Sequence, residues 1–343
     1  MDFNIHINAS SSPNNLIEVY DGSVFTNNTL LVKLHQISAC RTEWGGKSDR
    51  IYMDNDCSII PSHINVTYLS YSECKFYTVE AQLSKQEIEG FINKFGTDVN
   101  LLIGMAPLGK VAVWVQNFKK AVMANWLQGE EQNISMDEFS PLDPDLDLSE
   151  YCESYNKQFY SSDEIKKQTH SLNFFLFDSY MKQFTYRYLA LFEKWKKDDE
   201  EWEKYAENDN VPVFDFIEES LYDGTHDKLH DGGLMKYHQA GKPKKLRVEW
   251  HIGKSEYSAY FWFEDERIRE VFDRFYGAHP DTKTDFIIRI DTAKRKYELA
   301  LYRYGLKEPQ IIPEDAYQFL VFKNKFEDYR SDNYNQECGA WIW

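Results

Sequence analysis

Asp223-Gly-Thr-His226-Asp227-Lys-Leu-His230-Asp231-Gly-Gly233 is the stretch whose residue types come nearest to chemistry. On a helix, His226 and His230 at i, i+4 would face the same way. Asp227 and Asp231 could then join them on a metal or orient their imidazoles, as in metal-dependent hydrolases. Gly224, Gly232 and Gly233 instead predict a loop with at most one helical turn, and no third convergent ligand can be named. The favoured reading is a polar surface connection, with His226, His230 and Asp227 kept as metal candidates. A second signal is Gly104-Met-Ala-Pro107-Leu-Gly109-Lys-Val111-Ala-Val113-Trp114-Val115. Its spacing does not fit a phosphate loop, because no helix follows whose first N–H groups could hold an anion. It reads as a hairpin turning on Pro and Gly. No G-x-S-x-G elbow is present and no catalytic residue is assigned.

The third signal is charge. The chain of 343 residues carries a formal net charge of −17. Such a surface repels nucleic acid and anionic membranes, which need Lys and Arg to displace counterions. It favours encounter with a basic partner. The acids concentrate between Glu130 and Glu164, where eleven of them face Lys157 alone. Within that run Asp143, Asp145, Asp147, Glu150 and Glu153 are the candidate partner contacts, with Tyr151 and Tyr155 as aromatic anchors. The run, punctuated by Pro, predicts loop with short helical turns.

The elements around these signals form a pattern used twice, at residues 61–115 and 243–302. The first copy has strand-like runs at Ile64–Tyr68 and Phe76–Leu83, then a helix with Ile88, Phe91, Ile92 and Phe95 on one face. Strands follow at Leu101–Ile103 and Val111–Val115. The second copy runs Leu246–Trp250, Tyr257–Phe263, a helix with Ile268, Val271, Phe272 and Phe275, then Phe286–Ile290 and Tyr297–Tyr302. Ser84 and Glu87 have the spacing of a capping box. Glu264, Asp265 and Glu266 suit the start of the second helix. Between the copies, an aromatic-rich segment of residues 163–205 fits a helical stripe at Phe177, Tyr180, Phe184, Tyr188, Leu191, Phe192 and Trp195. Val213–Leu221 predicts a further short helix.

The expected fold is therefore α+β: two duplicated strand-strand-helix-strand-strand units with antiparallel sheets, joined by a helical insert. The corresponding domains are 1–128, 129–235 and 236–343. Five cysteines in an odd count without CxxC spacing predict reduced thiols, not a disulfide framework or zinc site. No signal peptide or membrane-length apolar run is visible, which predicts a cytoplasmic protein. The closing Ala340-Trp341-Ile342-Trp343 is expected to dock into a core.

The run Pro61…Val66…Tyr68…Phe76-Tyr77, a helix, and then Gly104-Met-Ala-Pro107-Leu-Gly109-Lys-Val-Ala-Val-Trp114 resembles an uncharacterised family of Gram-negative bacterial proteins. Its members carry a G-x-A-P-G-G-x-V-x-V-W-like hairpin after a strand-strand-helix unit. The resemblance covers residues 50–120, and 240–343 more faintly. Leu108 stands where that family has glycine, and the lipoprotein signal common in the group is not seen, a departure that counts against an envelope location. Members often lie beside secreted antibacterial toxins. The resemblance thus implies an immunity protein without catalytic residues; together with the acidic charge, the expected partner is a basic, cytoplasm-acting toxin of a bacterial (type VI) secretion system, and no cofactor is expected. The alternatives are a metal-assisted hydrolase using His226 and His230, and a non-enzymatic secretion-system adaptor.

Overall fold

The computed structural model describes residues 4–12, 15–34, 37–40, 44–45, 59–96, 98–140, 146–163, 165, 181–196, 200–205, 212–230, 236–291, 296–323 and 327–330. The chain divides into two units, Met1–Asp178 and Ser179–Trp343. That division falls inside the segment 129–235.

In the first unit β1 (Asn4–Ser11), β2 (Ile17–Thr26), β3 (Thr29–Lys33), β4 (Ile37–Cys40), β5 (His63–Ser70) and β6 (Lys75–Gln82) lead into α1 (Lys85–Phe95). After it come β7 (Asp98–Met105), β8 (Lys110–Gln116), β9 (Ala121–Gln128), β10 (Glu130–Gln132), α2 (Met136–Phe139) and α3 (Leu148–Phe159). One sheet runs in the order β1-β7-β8-β9, and another in the order β10-β6-β5-β2-β3 with β4 also on β2. Period-two alternation builds the core between them: Ile5, Ile7 and Ala9 of β1 and Leu101 and Ile103 of β7 meet Ile64, Val66 and Tyr68 of β5. Helix α1 adds Ile88, Phe91 and Ile92, the face its spacing predicts. The Ser84–Glu87 capping box is not formed, since Ser84 makes no side-chain cap bond. Its N–H donates instead to Asn125 Oδ1 of β9 at 3.0 Å, so tertiary structure satisfies a donor that local sequence seemed to claim.

The second unit contains β11 (Phe184–Lys196), β12 (Glu201–Lys204), β13 (Val213–Leu221), β14 (His226–His230), β15 (His238–Ala240), β16 (Pro243–Ile252) and β17 (Ser255–Phe263). Helix α4 (Asp265–Tyr276) follows, then β18 (Thr284–Asp291), β19 (Lys296–Arg303), β20 (Gln310–Ile311), β21 (Tyr317–Lys323) and β22 (Glu327–Arg330). One set of strands is ordered β14-β13-β16-β17-β21-β22, and another β12-β11-β18-β19-β20 with β15 on β11. Phe184, Tyr186, Tyr188, Trp250, Phe261, Phe272 and Phe286 belong to the core they enclose.

Among the described residues strand makes up 56% and helix 19%, which overturns the α+β expectation. This is a mainly β protein. The strand-strand-helix-strand-strand block is also not its structural unit. Helix α1 leaves β6 in one sheet and enters β7 in the other, and α4 does the same between β17 and β18. The four flanking strands therefore never form one antiparallel sheet. Each second sheet is completed by a strand from far upstream laid parallel, β1 on β7 and β11 on β18.

The helical insert is corrected too. From residue 184 its aromatic stripe is strand β11, and Val213–Leu221 is strand β13. Phe184, Tyr188 and Phe192 stand four apart, a spacing that serves a helix face and a strand face alike. Tyr186 decides between them: it is buried beside Phe184 and Tyr188, whereas on a helix it would point away from both. Phe177, Tyr180 and residues 340–343 lie outside the described residues.

Candidate interaction surface and a buried polar network

The acidic run folds as an ordered cover on the first unit. Glu130 and Glu131 sit on β10, held to β6 by the pairings Glu130–Thr78 and Glu131–Tyr77. Helix α3 starts on Asp147, whose carboxylate accepts the Ser149 N–H at 2.8 Å. Those Ser149 hydrogen bonds hold the carboxyl below its ordinary range. The inner face of α3 carries buried Cys152 and Asn156, and Asn156 Nδ2 donates to the Tyr71 carbonyl at 3.0 Å. Tyr151 and Tyr155 lie 6.0 and 5.5 Å, centroid to centroid, from Tyr71. Phe139 of α2 meets Tyr151 at 5.7 Å and Phe76 at 5.0 Å. The two tyrosines thus anchor α3 to its own unit, half-buried in a satellite core with Leu16, Leu69, Tyr71 and Phe76. Asp137, Glu138, Asp147, Glu150 and Glu153 are exposed. Lys75 pairs with Glu131 and Lys157 with Glu153. Asp143 and Asp145 lie outside the described residues.

The Gly104–Val115 hairpin is built as expected, with a 3-10 turn at Pro107–Gly109 between β7 and β8. Leu108 holds φ at +62°, the left-handed region, which explains why glycine suits that place. Neighbours fix the turn: the Leu108 N–H donates to Glu73 Oε2 at 2.8 Å, Gln128 Nε2 to the Leu108 carbonyl at 2.7 Å, and Tyr68 Oη to the Ala106 carbonyl at 2.7 Å. Leu108→Gly is expected to stabilise the protein by about 1 kcal/mol, the relieved backbone outweighing the added freedom of the unfolded chain. Urea unfolding checks this: the midpoint should rise at unchanged slope, and a fall would show that the leucine side chain matters more than its backbone.

The second unit holds a polar network that helix-based reading of residues 213–221 missed. Glu219 occupies an inward position of β13, in step with Ile217 and Leu221, and is only 2% exposed. Tyr188 Oη donates to Glu219 Oε2 at 2.7 Å. His238 Nε2 stands 3.5 Å from Glu219 Oε1, brought there by the pairing of β15 with β11 that sets it opposite Tyr186. Burial pulls the His238 pKa down, but the adjacent Glu219 carboxylate outweighs it and leaves the imidazole above its ordinary value. Burial and the Glu219 charge push the Tyr188 phenol far up, so it stays a donor. Nearby Asp223 is fully buried; its Oδ1 accepts from the Thr225 N–H and Oγ1 at 2.9 and 2.6 Å, and burial raises its pKa. An acid at every second residue from two apolar positions was the available signal, had the segment been read as strand.

His226 and His230 are the two ends of strand β14. Four residues of extended chain separate them by about 13 Å, too far to share a metal with ligand bonds near 2 Å. Among the described residues, no three of His, Cys, Asp and Glu are grouped so as to hold a metal ion. No described helix is long and apolar enough to cross a membrane.

Residues 8–172 match the model of a family described as protein of unknown function, DUF2931. The matched stretch holds the hairpin and the strand-strand-helix run that carry the resemblance seen in the sequence. It also runs through α3, so the acidic cover lies within the DUF2931-like region. The strands of the second unit lie outside it. No curated protein and no solved structure matches the chain.

Proposed function

We propose that this protein is an immunity protein, a cytoplasmic, non-enzymatic module that binds and neutralises a basic toxin of a bacterial secretion system. The observation that carries the reading is the acidic cover. Packing of Tyr151, Tyr155 and Phe139 on Tyr71 and Phe76 fixes Asp137, Glu138, Glu150 and Glu153 outward on one segment of a chain with net charge −17. Carboxylates held in place offer a basic partner a preformed counter-surface, which speeds encounter and suppresses wrong partners. The residues that resemble a Gram-negative family encoded beside antibacterial toxins support the same reading, and the DUF2931 match falls on that part of the chain.

The test is capture of the native partner by the tagged protein, then association kinetics with the purified partner. A basic, toxic protein is expected, with a rate falling steeply with salt. Glu138→Lys/Glu150→Lys/Glu153→Lys should slow association by roughly tenfold or more while leaving the unfolding midpoint nearly unchanged. Equal rates for variant and parent would remove the acidic cover from the interface. Capture of a non-toxic partner would end the immunity reading.

A further inference from the structure

The two thiols described inside the satellite core meet each other, and this observation is independent of the proposed function. Cys74 lies in the turn between β5 and β6, half-buried, and Cys152 lies buried on the inner face of α3. Cys74 packs against the cluster that buries Cys152, and each thiol shifts the acidity of the other. Cys74 Sγ also reaches the Leu148 carbonyl at 2.9 Å, one helical turn before Cys152 and on the same face. A second feature singles out the position. Cys74 holds φ at +56°, a left-handed conformation that costs a side-chain-bearing residue free energy and is ordinarily given to glycine or asparagine.

We propose that Cys74 and Cys152 form a reversible disulfide that locks α3, and with it the acidic cover, onto the β5–β6 turn. The closing oxidant is a disulfide, of a small thiol or of an oxidoreductase. The Cys74 thiolate attacks one oxidant sulfur, a mixed disulfide forms, and the first oxidant thiol leaves. The Cys152 thiolate then attacks Cys74 Sγ and displaces the second. Two protein thiols are oxidised and one external disulfide is reduced to two thiols, its two leaving thiolates taking up the two protein protons. The environment orders the roles: the neighbouring Cys152 thiol lowers the Cys74 pKa, which favours the more exposed sulfur as the attacking one. Cys74 and burial raise the Cys152 pKa, which suits a thiol that reacts only once its neighbour is engaged.

The experiment equilibrates the full chain with reduced and oxidised glutathione over a range of ratios, alkylates what remains free, and maps the cysteines by mass spectrometry. A Cys74–Cys152 crosslinked peptide is expected, lost with dithiothreitol, and with it a thermal midpoint several degrees above that of the reduced protein. Cys74→Gly serves as the folding control: it relaxes the turn, should melt no lower than the reduced parent, and cannot form the link. Recovery of both cysteines alkylated at every ratio, as separate glutathione adducts, or linked to other cysteines overturns the proposal. Closure is read from the protein alone, so its failure leaves the toxin-binding reading untouched, and the reverse also holds.

Discussion

Glu219→Ala is expected to destabilise the second unit by about 3–5 kcal/mol, because it leaves a buried phenol without its acceptor and a half-buried imidazole without its neighbouring carboxylate. Hydrogen exchange at the β13 amides reads this for one unit without assuming that the whole chain unfolds together. A loss under about 1 kcal/mol would mean that the site repacks around the gap. The network also dictates a pH dependence. His238 has a folded pKa above its unfolded value of 6.5, through Glu219. Its contribution is therefore complete below pH 6.5 and is lost as pH rises through the folded pKa. In Glu219→Gln, which keeps an acceptor for Tyr188 but not the charge, that component should disappear. Equal pH profiles in parent and variant would show that His238 folds uncharged.

Trp114→Ala should cost the first unit about 3–5 kcal/mol. Trp114 is wholly buried and meets Trp44 edge-on, centroids 4.8 Å apart. Its seat is Gly104: a Cβ there would lie 2.4 Å from Trp114 Cζ3 and 3.0 Å from Trp44 Cζ3. Gly104→Ala alone should cost about 1–3 kcal/mol by overpacking. In the Trp114→Ala background the same methyl enters vacated space and should cost little or become favourable. A double-mutant cycle by urea unfolding measures the difference; additive losses would show that the two positions do not share this contact.

Local patterns were legible where one periodicity was unambiguous. The α1 and α4 stripes, the Gly104–Val115 hairpin and the alternation of β5, β16 and β18 all emerge from residue spacing alone. Misreading came where spacing was degenerate, as with Phe184, Tyr188 and Phe192, or where acids and aromatics mixed, as in Val213–Leu221. Sheet membership was invisible for a different reason: which strands β7 and β18 join is decided by β1 and β11, far upstream, and no local rule carries that information. The candidate site divided in the same way. The acids of α3 were named from composition, but Tyr151 and Tyr155 turn inward, which only the position of Tyr71 reveals. The Glu219–His238–Tyr188 network and the Cys74–Cys152 contact join three elements and two elements respectively, and neither has a motif.

The parallel pairings set a timetable for synthesis. Asn4 pairs with Asp98 and Tyr186 with Thr284, so on the ribosome each of these upstream strands must wait for roughly a hundred further residues before its partner exists. Until then β1 and β11 emerge as strands with one apolar face and open backbone donors and acceptors, a state prone to pairing with a neighbouring chain. Refolding from denaturant should accordingly be slow, with yield falling as protein concentration rises, and a chain interrupted before β7 has no way to complete its first sheet.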